Sequence, residues 1–359
     1  MVKIKAWMFE KVGQPMVLSE RDAAPGPGEV LVKVVGCGVC HTDLGFFYDG
    51  VPTRHDLPLA LGHEISGRVL EAGDGAEEWI GREVVVPAVI PCGECPACKA
   101  GHGSICPTQI FPGNDVHGGF GTHLVVPARG LCPVPDLADS SKNPAGLELA
   151  DLSVIADAVT TPYQAILRSG LAEGDLAVFV GIGGVGGFGV QIAAALGARV
   201  VAVDVSADRL ALLAGHGADL TLNAAELSFK DMKGALRAFA KEHGIPSYRH
   251  RIFETSGSPQ GQTTAFGFVG HGAYLGIVGF TPAKVEIRLS NLMAFDATVQ
   301  GNWGCLPEHY PAALDLVLGG KVALPAFVER RPLRLINETF EDLHAHKVSR
   351  RVILTPECP

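Results

Sequence analysis

Four cysteines, Cys92, Cys95, Cys98 and Cys106, fall in the pattern Cys-x2-Cys-x2-Cys-x7-Cys. Four thiolates on one short loop are what a closed tetrahedral zinc site needs. Such a site has no open position, so it holds structure and does no chemistry; a lobe at 91–107 is expected around it. A second group of metal-type residues lies upstream. Cys40-His41-Thr42-Asp43 follows a β-rich run, and Gly62-His63-Glu64 comes later. Cysteine and histidine are good zinc ligands. Either piece alone reads as structural, since a buried histidine usually just satisfies a hydrogen bond. The pair, in a chain that carries a cysteine knot, reads as an open metal site.

A different chemistry is written at Gly181-Ile182-Gly183-Gly184-Val185-Gly186. This is G-x-G-x-x-G, after a strand-like run and before an Ala-rich helical one, the context in which the motif binds a dinucleotide. The glycines let the backbone turn and approach a pyrophosphate, which sits at the helix N-terminus. The next strand ends at Asp204, and no arginine follows it directly. A carboxylate there accepts from both ribose hydroxyls and repels a 2′-phosphate, so NAD rather than NADP is expected. Arg209 and Val278 are counted with the cofactor-binding residues.

These residues need elements to position them. Residues 1 to about 150 are rich in Val, Gly and Pro, with short runs at 30–35 and 83–86 punctuated by turn signals such as Pro25-Gly26-Pro27-Gly28. That texture predicts an irregular β-barrel or sandwich. Residues 152–169 show helical periodicity. Strand, glycine loop, helix and strand then follow through 204, a βαβ unit that predicts a parallel sheet. Further strands are expected at 251–254 and 274–278. From about 300 the chain reads as β-like again, ending in Arg351-Val352-Ile353-Leu354. The expected division is therefore 1–153 with 300–359, and 154–299.

The bulk properties agree with a two-domain enzyme. The chain has 359 residues, 47% of them hydrophobic, and a net charge of -9. With no basic block, nucleic acid is not the expected partner. The start of the chain carries no apolar signal-peptide core. Metal thiolates in a reducing cytoplasm explain the nine cysteines better than disulfides do. The uncharged run 176–198 is long enough to suggest a membrane span, but its glycine-rich centre fits strand, loop and helix better.

Taken together, Cys40, Gly62-His63-Glu64, the four-cysteine lobe, the 181–186 loop and Asp204 resemble the zinc-dependent medium-chain alcohol dehydrogenases, over essentially the whole chain. The resemblance implies a Rossmann doubly wound parallel sheet beside a GroES-like irregular β-barrel catalytic domain. It implies a catalytic zinc, a structural zinc and NAD in each chain. The third catalytic ligand in that family is commonly a cysteine six residues before a tyrosine; here Asp157 holds that position before Tyr163. The alternative is that Asp157 caps a helix and Glu64 supplies the ligand. A carboxylate donates less charge than a thiolate and should leave the zinc a stronger Lewis acid. By resemblance, Thr42 relays the alcohol proton, His41 faces a cofactor phosphate, Asp43 orients His63, and Arg351 contacts the pyrophosphate. Family members often carry a histidine three residues after the relay threonine; here that residue is Gly45.

The substrate is less legible. The resemblance implies a secondary allylic ring alcohol carried as a coenzyme A thioester, with a polyol or other secondary alcohol lacking coenzyme A as the alternative. The enone product could also take up water at the same site, with Glu64 nearby. Arg54, Lys99, Lys142, Arg249 and Arg251 are scattered candidates for a coenzyme A phosphate patch, and Trp303 for a pocket wall or a core residue. The family also implies a homo-oligomer, dimer or tetramer. Cys37, Cys132, Cys305 and Cys358 receive no role.

Overall fold

The structure is a computed structural model that describes residues 2–356. Cys358 lies outside the described residues. The chain divides into two compact units, one formed by 1–160, 304–320 and 324–359, the other by 161–303 and 321–323. Residues 154–160 thus belong with the first unit, because the turn Asp151–Ala156 is buried against strands of that unit.

The first unit is built on two sheets. A three-stranded sheet runs Val17–Ala23, Val2–Phe9, Leu59–Ala60. A seven-stranded sheet runs Val328–Pro332, Arg351–Thr355, Glu29–Gly38, Glu64–Ala72, Glu83–Val86 and Cys132–Pro133, with His123–Pro127 paired to Glu29–Gly38. Alternating apolar side chains of these strands, such as Val30, Val32, Val34, Val84 and Val86, make its core. The C-terminal strand pairs with the end of the Glu29–Gly38 strand, at Cys37 and Gly38, and so lies in the sheet of the first unit. The tail is not all β, however. Tyr310–Leu318 and Ile336–His344 are helices, each burying one apolar face that includes Tyr310, Leu314 and Val317, or Ile336 and Phe340.

The second unit is a six-stranded parallel sheet in the order Leu220–Asn223, Arg199–Asp204, Leu176–Val180, His250–Glu254, Tyr274–Ile277, Thr298–Gly301. The strand order reverses beside the first strand, the doubly wound arrangement. The uncharged 176–198 run resolves into the strand Leu176–Val180, the glycine loop and the helix Gly186–Ala195. No helix of the described residues is long and apolar enough to cross a membrane.

Candidate active site and zinc lobe

The four lobe cysteines lie together, with all four sulfurs within 4.8 Å of one another. Cys92 Sγ is 3.9 Å from Cys98 Sγ, and Cys95 Sγ is 3.8 Å from Cys106 Sγ. A disulfide would need about 2 Å, whereas the edge of a tetrahedral zinc–thiolate site is about 3.8 Å, as follows from bond lengths of about 2.3 Å. The backbone is arranged to receive negative sulfurs. The N–H groups of Glu94 and Cys95 donate to Cys92 Sγ, that of Cys98 to Cys95 Sγ, and that of Cys92 to Cys106 Sγ. The Thr108 hydroxyl and those amides pull Cys92 down to about 5, while desolvation and its neighbouring thiols push Cys98 up to about 12. Four adjacent thiolates need a cation, so the donor set fits zinc.

The second group joins three distant parts of the first unit. The donor atoms of Cys40, His63 and Asp157 lie within 4.8 Å of one another. Asp157 Oδ2 is 3.5 Å from Cys40 Sγ and 3.6 Å from His63 Nε2. Those separations are the edges of a tetrahedron with bonds of about 2.0–2.3 Å, leaving one corner without a protein ligand. The pocket favours positive charge. Burial pulls the His63 imidazole towards neutrality, but Asp43, Asp157 and Cys40 outweigh it and raise its proton affinity well above the ordinary value. In a zinc site the metal takes the place of that proton.

Asp43 ties the segments of the first two donors together. It is fully buried, and its Oδ2 accepts the Cys40 N–H at 2.9 Å while Oδ1 accepts the Gly62 N–H at 3.1 Å. The same Oδ1 lies 3.4 Å from His63 Nδ1, off the line for a good hydrogen bond. Cys40 caps the helix His41–Tyr48, which places exposed His41 and half-buried Thr42 on its first turn. The Thr42 hydroxyl is 3.6 Å from Cys40 Sγ. Gly62 has φ +93°, and a Cβ there would meet Cys37 Sγ and the Phe120 ring at 2.8 Å, so the turn before His63 accepts only glycine.

The third donor is held from both sides. Residues 152–169 do not form one helix: the turn Asp151–Ala156 stops at Asp157, with φ −139° and ψ −58°, and a new helix starts at Thr160. The Ala156 carbonyl accepts from the Tyr310 and Thr160 hydroxyls, and the Ala158 N–H donates to Glu64 Oε1. Tyr310, fully buried, also accepts the Ala88 N–H. No local sequence signal could have named Tyr310, because its partners lie far away along the chain.

Two of the expected site residues are bonded to each other. Arg351, read as a pyrophosphate contact, donates to both oxygens of Glu64, and its side chain is 5% exposed. Glu64, read as catalytic or as an alternative ligand, is committed on both oxygens to Arg351 and the Ala158 N–H. Trp303, with 48% of its surface exposed, is no core tryptophan.

In the second unit, Gly181 has φ +86°, and a Cβ there would strike Ser256 at 2.4 Å, so the first loop glycine is required sterically. Gly183, Gly184 and Val185 lead to Gly186, where the helix begins, with Gly184 exposed. The donor set of a dinucleotide cradle is present. Asp204 lies at the end of its strand and accepts the Ile182 and Ser206 N–H groups at 2.8 and 2.9 Å. Arg209 Nη1 is 3.9 Å from Asp204 Oδ1, so a cation one helical turn on does stand beside the acid. Val278 follows the strand Tyr274–Ile277 and donates its N–H to the Glu254 carbonyl.

Comparison with known proteins agrees with both units. Residues 26–136 match the alcohol dehydrogenase GroES-like domain, and residues 184–319 match the zinc-binding dehydrogenase family. An alcohol dehydrogenase of Geobacillus stearothermophilus is 32% identical over 329 residues, covering 91% of each chain. An L-threonine 3-dehydrogenase of Xanthomonas oryzae is 28% identical over 92% of this chain and 93% of its own. The crystal structure of an alcohol dehydrogenase from Thermotoga maritima superposes with a TM-score of 0.87 at 27% identity, covering 99% of this chain and 100% of that one. The protein belongs to the zinc-dependent medium-chain alcohol dehydrogenase family and is an oxidoreductase.

Proposed function

We propose that the chain is an NAD-dependent dehydrogenase of secondary alcohols, with a catalytic zinc held by Cys40, His63 and Asp157 and a structural zinc held by Cys92, Cys95, Cys98 and Cys106. The observation that carries this reading is the sulfur–nitrogen–oxygen cluster, with edges of 3.5 and 3.6 Å and one open corner. Zinc in that position supplies Lewis acidity that lowers the pKa of a coordinated alcohol. NAD supplies the hydride acceptor. The protein's own part is positioning and proton handling. The Thr42 hydroxyl, beside Cys40 Sγ, takes the alcohol proton, and exposed His41 or water carries it onward, since Gly45 offers no acceptor. Asp43 fixes the Cys40 and Gly62 backbones and faces the His63 ring. Asp204 accepts from the adenosine ribose, which favours NAD.

The substrate in this proposal is 6-hydroxycyclohex-1-ene-1-carbonyl-CoA, oxidised to the 6-oxo thioester in anaerobic benzoyl-CoA degradation. Whole-length resemblance supports it, as does chemistry, because conjugation of the product ketone eases hydride loss. A second reading, a polyol or other secondary alcohol without coenzyme A, is favoured by relatives named L-threonine 3-dehydrogenase and galactitol-1-phosphate dehydrogenase. Association as a homodimer or homotetramer is supported by the fully exposed edge strand Thr298–Gly301, with Phe280, Leu289 and Met293 exposed nearby in sequence. A reducing cytoplasm fits the eight unbridged cysteines among the described residues.

The test is NADH formation by the zinc-loaded protein, with the thioester compared against the same ring alcohol lacking coenzyme A. Turnover of the thioester alone supports the first substrate. Equal turnover, or turnover of the free alcohol only, selects the second reading. No turnover with either, nor with simple secondary alcohols, removes the proposal.

A further inference from the structure

We propose that Arg21, His55 and His117 form a pocket in the first unit that binds a phosphate group carried by the substrate. The inference builds on the dehydrogenase reading and names a second recognition point for its substrate.

Arg21 lies on the strand Val17–Ala23, opposite Ile4. Its Nε is buried and has no hydrogen-bond partner. A dry, unpaired guanidinium donor is costly, and a ligand oxygen would supply the missing acceptor. His117 presents a second donor. Its Nδ1 accepts the Ala60 N–H at 3.2 Å, which puts the proton of the neutral ring on Nε2. His55 lies beside it, with ring centroids 5.0 Å apart. His55 Nδ1 donates to the Asp56 carbonyl, which helps hold its ring against that of His117.

The charge balance points the same way. Burial, then Arg21, then His55, drive the His117 pKa down to about 4, so positive charge here is felt and not cancelled. Asp115, on the loop that leads to His117, is already spent: it pairs with Arg54 at 2.7 Å and accepts the Phe111 N–H at 2.8 Å. Imidazole and guanidinium N–H donors suit an anion, whose oxygens accept from them. Donors from separate segments, Arg21 Nε and His117 Nε2, suit the several oxygens of a phosphate.

The pocket is tied to the metal cluster within the same unit. The Arg54 and His55 N–H groups donate to Asn114, joining the 51–56 loop to the 111–117 loop. That second loop carries Phe111, whose ring meets His63 edge-on at 4.9 Å. His117 is bonded to Ala60, which closely precedes His63 in the chain. A substrate with its alcohol at the cluster and a phosphate further along would meet both.

The test is calorimetric binding of inorganic phosphate, coenzyme A and pantetheine to the zinc-loaded protein saturated with NAD, so that the dinucleotide loop is occupied. Phosphate and coenzyme A should bind and pantetheine should not. Arg21→Gln should weaken phosphate binding by about tenfold or more, with Arg21→Lys intermediate. His117→Gln, measured in parallel, should weaken it as well and guards against misfolding of the arginine variants. Coenzyme A binding at least about tenfold tighter than phosphate assigns the pocket to a coenzyme A carrier, and equal affinity to a phosphorylated alcohol; either supports it. Equal phosphate affinity in wild type and Arg21→Gln, or no binding of phosphate or coenzyme A to wild type, overturns it. Turnover of cyclohexanol by the same wild-type preparation tests the dehydrogenase reading separately, since it involves no phosphate.

Discussion

Arg351 and Glu64 are bonded to each other in the interior, Nε to Oε2 at 2.9 Å, with side chains 5% and 0% exposed. The pair links the C-terminal strand to the residue beside the proposed ligand His63, and through Glu64 it reaches the Ala158 N–H beside the proposed ligand Asp157. Arg351 also lies 3.9 Å from Asp157 Oδ2. One buried cation thus faces the carboxylate proposed as the third metal ligand.

Removing that cation should leave Glu64 buried and unpaired. Arg351→Met is expected to cost about 3–5 kcal/mol of stability in denaturant unfolding. The double variant Arg351→Met/Glu64→Leu should lose clearly less than the single, because no orphan charge remains. A double variant as unstable as the sum of the two single variants would show that the pair contributes no coupling.

The two metal groups should come apart by mutation. Asp157→Asn replaces a carboxylate by a weak ligand, and zinc content should fall by about one ion per chain while the lobe keeps its own. Cys95→Ser should do the reverse, retaining metal at Cys40 and His63 but exposing the 91–107 loop to proteolysis. Elemental analysis per chain decides both. Full zinc occupancy in Asp157→Asn would remove that residue from the ligand set.

What could be read along the chain was what local spacing encodes. The four cysteines lie within one loop, and the glycine motif lies between a strand and a helix, so adjacency in sequence nearly equals adjacency in space. The surroundings of Asp157 were not readable, because Tyr310 and Arg351 arrive from the far C-terminus and touch it or its neighbours only after folding. The helices Tyr310–Leu318 and Ile336–His344 read as β-like because they are short and uncapped by side chains; burial of one face stabilises them more than local propensity. The strand Thr298–Gly301 shows no apolar alternation, and it is sheet pairing with Tyr274–Ile277 that defines it. Arg209 does not follow Asp204 directly in the sequence, yet one turn of helix brings it to 3.9 Å.

That contact sets up a cofactor prediction. With Asp204 present, its charge opposes a 2′-phosphate and holds Arg209 nearby. Asp204→Ala should lower kcat/KM for NAD and raise that for NADP, shifting their ratio by about tenfold or more. Adding Arg209→Gln should cancel the NADP gain. An unchanged ratio in Asp204→Ala would take the acid out of cofactor selection.

His117 gives the stability curve a defined acid limb. Its ordinary pKa is 6.5, and in the folded protein burial, Arg21 and His55 lower it to about 4. The unfolded chain therefore takes up a proton at a pH where the folded protein resists it. The stabilisation from keeping this ring neutral is complete above pH 6.5 and is lost as pH falls towards about 4. His117→Gln should flatten unfolding free energy across that window relative to wild type. Parallel curves for the two proteins would contradict the lowered value.

Gly45 offers the sharpest test of the proton route. It lies inside the helix His41–Tyr48, and a Cβ there would meet only Val51 at 3.6 Å and Asp49 at 4.0 Å, ordinary contacts. Histidine is therefore sterically admissible at its first atom and should strengthen the helix by about 0.5 kcal/mol over glycine. If Thr42 hands its proton to water for want of a nearby base, Gly45→His supplies one. The variant should show a new inflection in log kcat against pH near the ordinary histidine value, with rate rising as the ring loses its proton, and a reduced solvent isotope effect. Thr42→Val in the same background should abolish the inflection, because the histidine would then have no hydroxyl to draw on. An inflection that survives Thr42→Val would mean that the proton leaves by a path that does not pass through Thr42.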